Sequence, residues 1–137
     1  MTDYLVDNSV WARLAAGDPG ITARLRRIER APADLFVTCP PQVLEFCHSA
    51  RTPEEHANYR EQISLGFPLE RAPDESLVLD IQAALWNAGL VRAAGSQDIL
   101  IAGYAIVNDA TVLAADHDFE YIARVSGLQY EYIAPSP

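Results

Sequence analysis

The sequence has 137 residues, half of them hydrophobic, which suits one compact domain with a full core and argues against both disorder and a disulfide scaffold. The formal net charge of -9 argues against a protein that holds nucleic acid by general electrostatic attraction, because lysine and arginine normally supply that affinity. All ten basic residues are arginine, so P-loop phosphate binding and Schiff-base catalysis, which need a lysine amine, are excluded.

The first half of the sequence alternates short apolar segments with amphipathic helical patterns. Helix starts are indicated by Asn8-Ser9, by Pro40-Pro41 and by the capping box Thr52-Pro53-Glu54-Glu55. The predicted elements are a strand over residues 3–7, a helix over 8–17, a turn over 18–20, a helix over 21–30, a strand over 35–38, a helix from 40, a helix from 53 that ends at Gly66, and a strand over 67–70.

The second half continues this alternation. The predicted elements are a helix from Pro73 to Gly89, a helix with Ser96 as N-cap, a strand over 111–115, a helix capped by Asp118, and a final strand over 129–133. The Ser96 cap would place Asp98 in the first turn of its helix. The pattern predicts an α/β fold in a single domain over residues 1–137, with a mostly parallel five-stranded sheet, helices on both faces and right-handed crossovers.

Four acidic residues, Asp7, Glu45, Asp98 and Asp116, stand where predicted strands end or within the helices that follow. In an α/β fold such positions gather at one edge of the sheet, which is where active sites form. Carboxylates brought together there repel one another, so the pattern predicts a bound cation.

The segments that carry these acids resemble the motifs of the PIN domain family: Tyr4-Leu5-Val6-Asp7-Asn8-Ser9, Glu45 in the next acidic helix, Ser96-Gln97-Asp98-Ile99-Leu100-Ile101-Ala102, and Ala115-Asp116-His117-Asp118-Phe119. Within that family, the sequence resembles the toxin ribonucleases of bacterial VapBC toxin/antitoxin pairs in its small size and in these motifs. The similarity covers essentially the whole chain.

The resemblance implies a metal-dependent endoribonuclease with Asp7, Glu45, Asp98 and Asp116 around one or two Mg²⁺ or Mn²⁺ ions. We expect Asp7 and Asp98 to be the primary metal ligands, with Glu45 and Asp116 ordering bound waters or a second ion, and Asp118 as an accessory acid. Hard divalent cations prefer carboxylate oxygens, which favours Mg²⁺ or Mn²⁺ over zinc. The resemblance also implies an RNA substrate, a cognate antitoxin protein and a homodimer.

One position departs from the family pattern. A threonine or serine often lies two residues before the fourth acid, whereas this sequence has Ala114, so a hydroxyl contact is missing beside Asp116. Ser9 and Ser96 resemble the hydroxyl positions of the family and are accessory candidates, although helix capping explains both equally well.

Each acid also has a purely structural interpretation. Asp7 can cap the helix that follows it, Asp98 can favour a helix dipole, and Asp118 can serve as an N-cap. Glu45 is harder to explain in this way because its helix neighbours are apolar. The four acids together favour the functional interpretation.

Basic charge is concentrated in the second predicted helix. Arg24 and Arg27 are candidates for contacts with RNA phosphates, although a solvated charged helix face explains them without any ligand. The apolar surface that would form a homodimer is predicted around Trp11, Tyr59 or Trp86.

Other functions of small α/β proteins fit less well. A receiver domain needs a lysine beside its phospho-acceptor, and a haloacid-dehalogenase-type phosphatase needs Asp-x-Asp where this chain has Asp7-Asn8-Ser9. Glu45 and His48 have the spacing of a di-iron carboxylate helix, but no second such pair is evident. Two alternatives remain within the fold: a non-toxin RNA-processing nuclease and a catalytically inactive binding module.

Cellular location follows from what the sequence lacks. It starts without a basic n-region, and no segment approaches the roughly 20 apolar residues of a membrane span. Cys39 and Cys47 are expected to be reduced, packed thiols. We therefore expect a cytoplasmic protein that does not bind a membrane.

Overall fold

A five-stranded sheet forms the centre of the protein in a computed structural model that describes residues 1–137. All strand pairs are parallel, and the strand order is β3-β2-β1-β4-β5. The strands are β1 (Asp3–Val6), β2 (Leu35–Thr38), β3 (Phe67–Pro68), β4 (Thr111–Ala114) and β5 (Gln129–Tyr132). The predicted α/β architecture is confirmed, with a sheet that is wholly rather than mostly parallel.

Seven helices connect and cover the strands. They are α1 (Asn8–Ala15), α2 (Pro19–Arg30), α3 (Pro40–His48), α4 (Pro53–Ile63), α5 (Glu75–Asn87), α6 (Ser96–Val107) and α7 (Asp118–Val125). Gly17 and Gly89 follow α1 and α5 with φ of 82° and 76°, a left-handed conformation that ends these helices as predicted. None of the helices combines the length and apolar character that crossing a bilayer requires.

The sheet is buried on both faces because alternate side chains of the central strands point to opposite sides. Leu5, Val112 and Ala114 pack in a core of 16 buried residues that also includes side chains of α5, α6 and α7. Val6 and Leu113 pack in a second core of eight buried residues, on the face covered by α1 and α2. Helices on both faces were therefore correctly predicted.

Strand order determines where a site can form. The chain places β2 on one side of β1 and β4 on the other, so the connections leave β1 and β4 in opposite directions. The loops that leave the carboxyl ends of these two strands diverge and open a crevice between them. Asp7 and Asp116 follow β1 and β4 directly or within two residues.

The third strand is shorter than predicted: it covers Phe67–Pro68 rather than residues 67–70. Pro68 has no N–H to donate, and β3 is an edge strand that pairs only with β2. The N–H of Leu69 still donates to the carbonyl of Thr38 at 2.8 Å, after which the chain turns away.

Four helix starts also differ from the predictions. Helix α2 begins at Pro19 rather than at residue 21, because Asp18 is its N-cap. Helix α5 begins at Glu75 rather than Pro73, because the Asp74 side chain accepts from the N–H of Leu77 at 2.8 Å and acts as N-cap. The N-caps of α6 and α7 are Gly95 and His117, one residue earlier than predicted, so Ser96 and Asp118 are the first residues of their helices.

The predicted capping box at α4 is largely confirmed. Thr52 Oγ1 accepts from the N–H of Glu55 at 3.1 Å, and the Glu55 carboxylate accepts from the N–H of Arg51 rather than that of Thr52. Cys39 and Cys47 are buried free thiols, as expected, and burial raises the pKa of Cys39 to about 11.

Candidate metal centre

Asp7 is a buried acid at the end of the central strand. Its side chain is the N-cap of α1, with Oδ2 accepting from the N–H of Ser9 at 3.1 Å. Its own N–H donates to the carbonyl of Leu113 at 2.9 Å, which continues the pairing of β1 with β4. Only 6% of Asp7 is exposed, so the residue is buried at the edge of the sheet and its carboxylate is hydrogen-bonded there.

Glu45 and Asp98 approach Asp7 from two helices. Glu45 lies in the second turn of α3, which starts just after β2, and Asp98 lies in the first turn of α6. Both side chains are half-buried and line an open cavity of about 600 Å³ whose lining residues are mostly polar or charged. Asp7 lies deeper, so the cavity gives access to the acids from one side.

The carboxylate oxygens of Asp7, Glu45 and Asp98 lie within 4.8 Å of one another, counting one oxygen from each residue. Three elements that are distant in sequence therefore bring three acids to one point. We call these three residues the carboxylate centre.

Desolvation by burial raises the pKa of every carboxyl group in the carboxylate centre and is the largest cause for each. The charge of Asp7 further raises the pKa of Glu45 and of Asp98, whereas the charge that raises the pKa of Asp7 is that of Asp116. The pKa of Asp98 is raised to about 7, by desolvation and then by the charges of Asp7, Asp118, Glu45 and Asp116. The ion pairs of the structure are formed elsewhere, by Arg24, His117 and Arg124. The negative charge of the centre is thus without a cationic partner from the chain.

Asp116 lies near the carboxylate centre but outside the group of three. Its charge raises the pKa of Asp7 and Glu45, as a smaller contribution than their desolvation, so it is close enough to act electrostatically. Its Oδ1 accepts from the N–H of Asp118 at 3.2 Å, where the chain turns into α7. Glu45 rather than Asp116 thus joins Asp7 and Asp98 in the group of three, and the role predicted for Asp116, holding a second ion or a metal-bound water, stays a prediction.

The accessory candidates lie in different environments. Desolvation and then the charge of Asp116 raise the pKa of the exposed Asp118. Ser9 links two strands, because its N–H donates to Asp7 and its Oγ accepts from the N–H of Ala115 at 3.0 Å. Its hydrogen bonds lower the pKa of Asp7, against the larger effect of desolvation. Ser96 is exposed at the first residue of α6.

Arg24 is bound within the protein. Its Nε and Nη2 donate to Glu131 of β5 at 2.6 and 2.9 Å, and Nη2 also donates to the hydroxyl of Tyr4 at 3.0 Å. These internal bonds explain Arg24 without any ligand, and the RNA contact predicted for it stays a prediction. Arg27 is exposed on α2, and its RNA contact stays a prediction.

Two glutamines beside the acids were not identified from the sequence. Gln42 is 2% exposed and bonds to the carbonyl of Val6, and Gln97 bonds to the carbonyl of Pro41. Gln97 directly precedes Asp98, and Gln42 lies one helical turn before Glu45. That spacing is the only sequence signal that could have pointed to them.

The donor set fits a hard divalent cation. Carboxylate oxygens are the protein ligands that Mg²⁺ and Mn²⁺ prefer, and three uncompensated acids at this spacing favour a cation between them. No histidine or cysteine belongs to the group, which makes a structural zinc site a poor fit.

Characterised relatives are similar to this chain over nearly its whole length. Ribonuclease VapC21 of Mycobacterium tuberculosis is 32% identical over 135 residues, which are 96% of this chain and 94% of the relative. Ribonuclease VapC11 of the same species is 31% identical over 134 residues, 91% of this chain and 95% of the relative.

Solved structures share the fold. VapBC-1 from nontypeable Haemophilus influenzae superposes with a TM-score of 0.71 at 20% identity, over 96% of this chain and 98% of that chain. VapBC2 from Rickettsia felis, bound to a DNA fragment from the promoter, gives a TM-score of 0.70 at 14% identity. The superposition covers 96% of this chain and 99% of that chain. The PIN domain profile matches residues 4–125, a span that contains the whole carboxylate centre, and the chain therefore belongs to the PIN domain family.

Proposed function

We propose that this protein is a metal-dependent endoribonuclease that acts as the toxin of a type II toxin/antitoxin pair. The observation that carries the proposal is the meeting of Asp7, Glu45 and Asp98, each contributing an oxygen within 4.8 Å of the others. The similarity to VapC ribonucleases over nearly the whole chain supports RNA as the substrate. Such an enzyme meets its substrate in the cytoplasm, the compartment we propose.

Asp7, Glu45 and Asp98 would hold a divalent cation, Mg²⁺ or Mn²⁺, with their carboxylate oxygens. The cation supplies activation of water and neutralisation of the charge that develops on the scissile phosphate. The chain supplies placement: Asp7 is fixed by Ser9 and β4, while Glu45 and Asp98 face the cavity through which RNA would enter. Asp116 would add negative potential that strengthens cation binding.

The decisive experiment replaces Asp7 with asparagine, which keeps the size of the side chain and its capping oxygen but removes the charge. Asp7→Asn should abolish cleavage of a fluorogenic RNA in the presence of Mn²⁺, with Asp80→Asn on the exposed face of α5 as the matched control. Turnover equal to that of the parent would remove Asp7 from the site. RNA binding without cleavage by the parent protein would instead favour a catalytically inactive binding module.

We propose that the antitoxin binds in an apolar groove next to the carboxylate centre. The groove has a volume of about 430 Å³ and begins at Asn8 and Phe46, the residues that follow Asp7 and Glu45. A partner with an apolar segment and a basic side chain could fill the groove and reach the acids at once. Its lining residues are Asn8, Trp11, Ala12, Leu14, Ala15, Phe46, Ser49, Tyr59, Gln62 and Ile63.

We propose that a second copy of the chain binds on α5, away from this groove. Leu79 and Trp86 are 51% and 43% exposed and lie seven residues apart, on the same side of the helix. Large apolar side chains exposed together on a helix indicate an interface. Trp86→Glu should convert a dimer to a monomer in light scattering, and an unchanged molar mass would exclude this surface.

A further inference from the structure

The buried side chain of Gln42 bridges two strands at the point where they separate. Its Nε2 donates to the carbonyl of Val6 at 2.6 Å, and its Oε1 accepts from the N–H of Cys39 at 3.4 Å. Val6 ends β1 and immediately precedes Asp7, while Cys39 follows the end of β2. One amide therefore holds the start of α3 against the backbone that carries Asp7.

The side chain of Gln97 makes the corresponding link between two helices. Its Nε2 donates to the carbonyl of Pro41 at 2.8 Å, which joins the first turn of α6 to the first turn of α3. Gln97 immediately precedes Asp98 in the sequence. This hydrogen bond therefore ties the turn of α6 that carries Asp98 to the start of α3.

Together the two amides connect β1, α3 and α6, the three elements that carry the carboxylate centre. Glu45 lies one helical turn after Gln42 in α3. The hydrogen bonds of Gln42 hold the first turn of this helix, and the position of that turn determines the position of Glu45. Asp116 is outside this connected set and also outside the group of three carboxylates. The elements joined by the hydrogen bonds of Gln42 and Gln97 are thus the same elements that bring the three carboxylates of the centre together.

The chemistry of the amide suits this task. A glutamine side chain offers both a donor and an acceptor without adding charge, whereas a basic residue would compete with a cation and an acid would add repulsion. The three acids repel one another, so their spacing must be imposed by the surrounding structure.

We infer that Gln42 and Gln97 are positioning residues that set the spacing of Asp7, Glu45 and Asp98 and thereby the affinity of the carboxylate centre for a divalent cation. The inference rests on the proposed metal-dependent function. It assigns to two neutral side chains a role that differs from ordinary stabilisation of the fold.

The test compares glutamine-to-methionine substitutions, which keep side-chain length and remove the amide. Gln97→Met should weaken Mn²⁺ binding roughly tenfold or more, measured from the paramagnetic resonance signal of free Mn²⁺ during titration with the metal alone. The control is Gln129→Met, because Gln129 is also exposed and its Nε2 donates to Asp109 at 3.2 Å, at the opposite edge of the sheet. The control should bind Mn²⁺ like the parent, while both variants melt at similar temperatures.

Gln42→Met should weaken Mn²⁺ binding at least as much, and if the loss of a buried amide prevents folding, Gln97→Met decides the question alone. Equal affinity of Gln97→Met and the parent overturns the positioning role and leaves the proposed function intact. Equal weakening by Gln97→Met and Gln129→Met also overturns it, because the effect would then be general destabilisation. A parent protein that binds no Mn²⁺ overturns the proposed function and the inference together.

Discussion

At the scale of single residues, the raised pKa of Asp98 predicts how the metal-free protein responds to pH. The folded-state pKa of about 7 exceeds the ordinary value of 3.8, so folding favours the protonated acid. Stability from this group is fully present below the unfolded pKa and is lost as the pH rises through about 7. In chelator, the parent should therefore melt at a lower temperature at about pH 8 than at about pH 5.

Asp98→Asn removes the loss of stability that the parent suffers as the pH rises, because the amide carries no charge at any pH. At about pH 8 in chelator the variant should melt higher than the parent by about 2–5 °C, with a smaller difference at about pH 5. Melting scans at both pH values measure the effect. A variant that melts clearly below the parent at about pH 8 would show that the acids are not crowded in the metal-free protein.

The position of Glu45 inside the carboxylate centre, and of Asp116 outside it, gives a second prediction. Glu45→Gln should weaken Mn²⁺ binding by at least about tenfold, because a ligand oxygen loses its charge. Asp116→Asn should weaken it by only a fewfold, because Asp116 acts at a distance. Calorimetric titration with Mn²⁺ ranks the two variants, and a larger effect at Asp116 would contradict the grouping.

The sequence identified the acids because strand ends and helix starts can be recognised locally. Asp7 follows an apolar run, and Asp98 stands in a first helical turn, so both positions could be predicted without a structure. The separation of Asp116 from the other three could not, because it depends on how α7 turns away from β4. The partner of Arg24 was equally inaccessible, since Glu131 is 107 residues away in the sequence.

At the scale of secondary structure elements, the Arg24–Glu131 ion pair fastens α2 to the edge strand β5. The Arg24 side chain is 17% exposed, and removing its guanidinium leaves the carboxylate of Glu131 and the hydroxyl of Tyr4 without their partner. Arg24→Gln should therefore lower the free energy of unfolding by about 1–2 kcal/mol in urea titrations, while leaving the KM for RNA unchanged.

The exposed Arg27 on the same helix supplies the control for this prediction. Arg27→Gln should change the free energy of unfolding by less than about 0.5 kcal/mol, as is usual for surface substitutions. If Arg24→Gln instead raised the KM for RNA with unchanged stability, the internal role of Arg24 would be wrong and the RNA contact predicted from the sequence would be favoured.

Element types were predictable from periodicity, and the order of the strands was not. Apolar runs and helical spacing located all five strands and all seven helices, with errors of one or two residues at helix starts where a neighbouring residue caps instead. The order β3-β2-β1-β4-β5 arises from pairing between segments far apart in sequence. That order creates the crevice at the carboxyl ends of β1 and β4, where the site forms.

At the scale of the whole molecule, charge and surface shape together restrict the partners. A net charge of -9 repels RNA at long range, so under the proposed function RNA binding would depend on a cation held by the carboxylate centre and on local arginines. The same charge attracts a basic protein. The apolar groove beside the centre gives such a protein a surface to bury, and the Nε1 of Trp11 in that groove has no hydrogen-bond partner within the chain.

This arrangement predicts that one substitution separates toxicity from its control. Ala12 is exposed on α1 and lines the groove, and arginine there is compatible with a helix while it obstructs the groove and repels a basic partner. Ala12→Arg should no longer co-purify with the product of a neighbouring small reading frame, and growth arrest should persist when the two are co-expressed. Ala23→Arg, an equal change of charge on the exposed face of α2, should still co-purify and be neutralised. Because both variants carry the same added charge, retained binding by Ala12→Arg would locate the antitoxin on another surface.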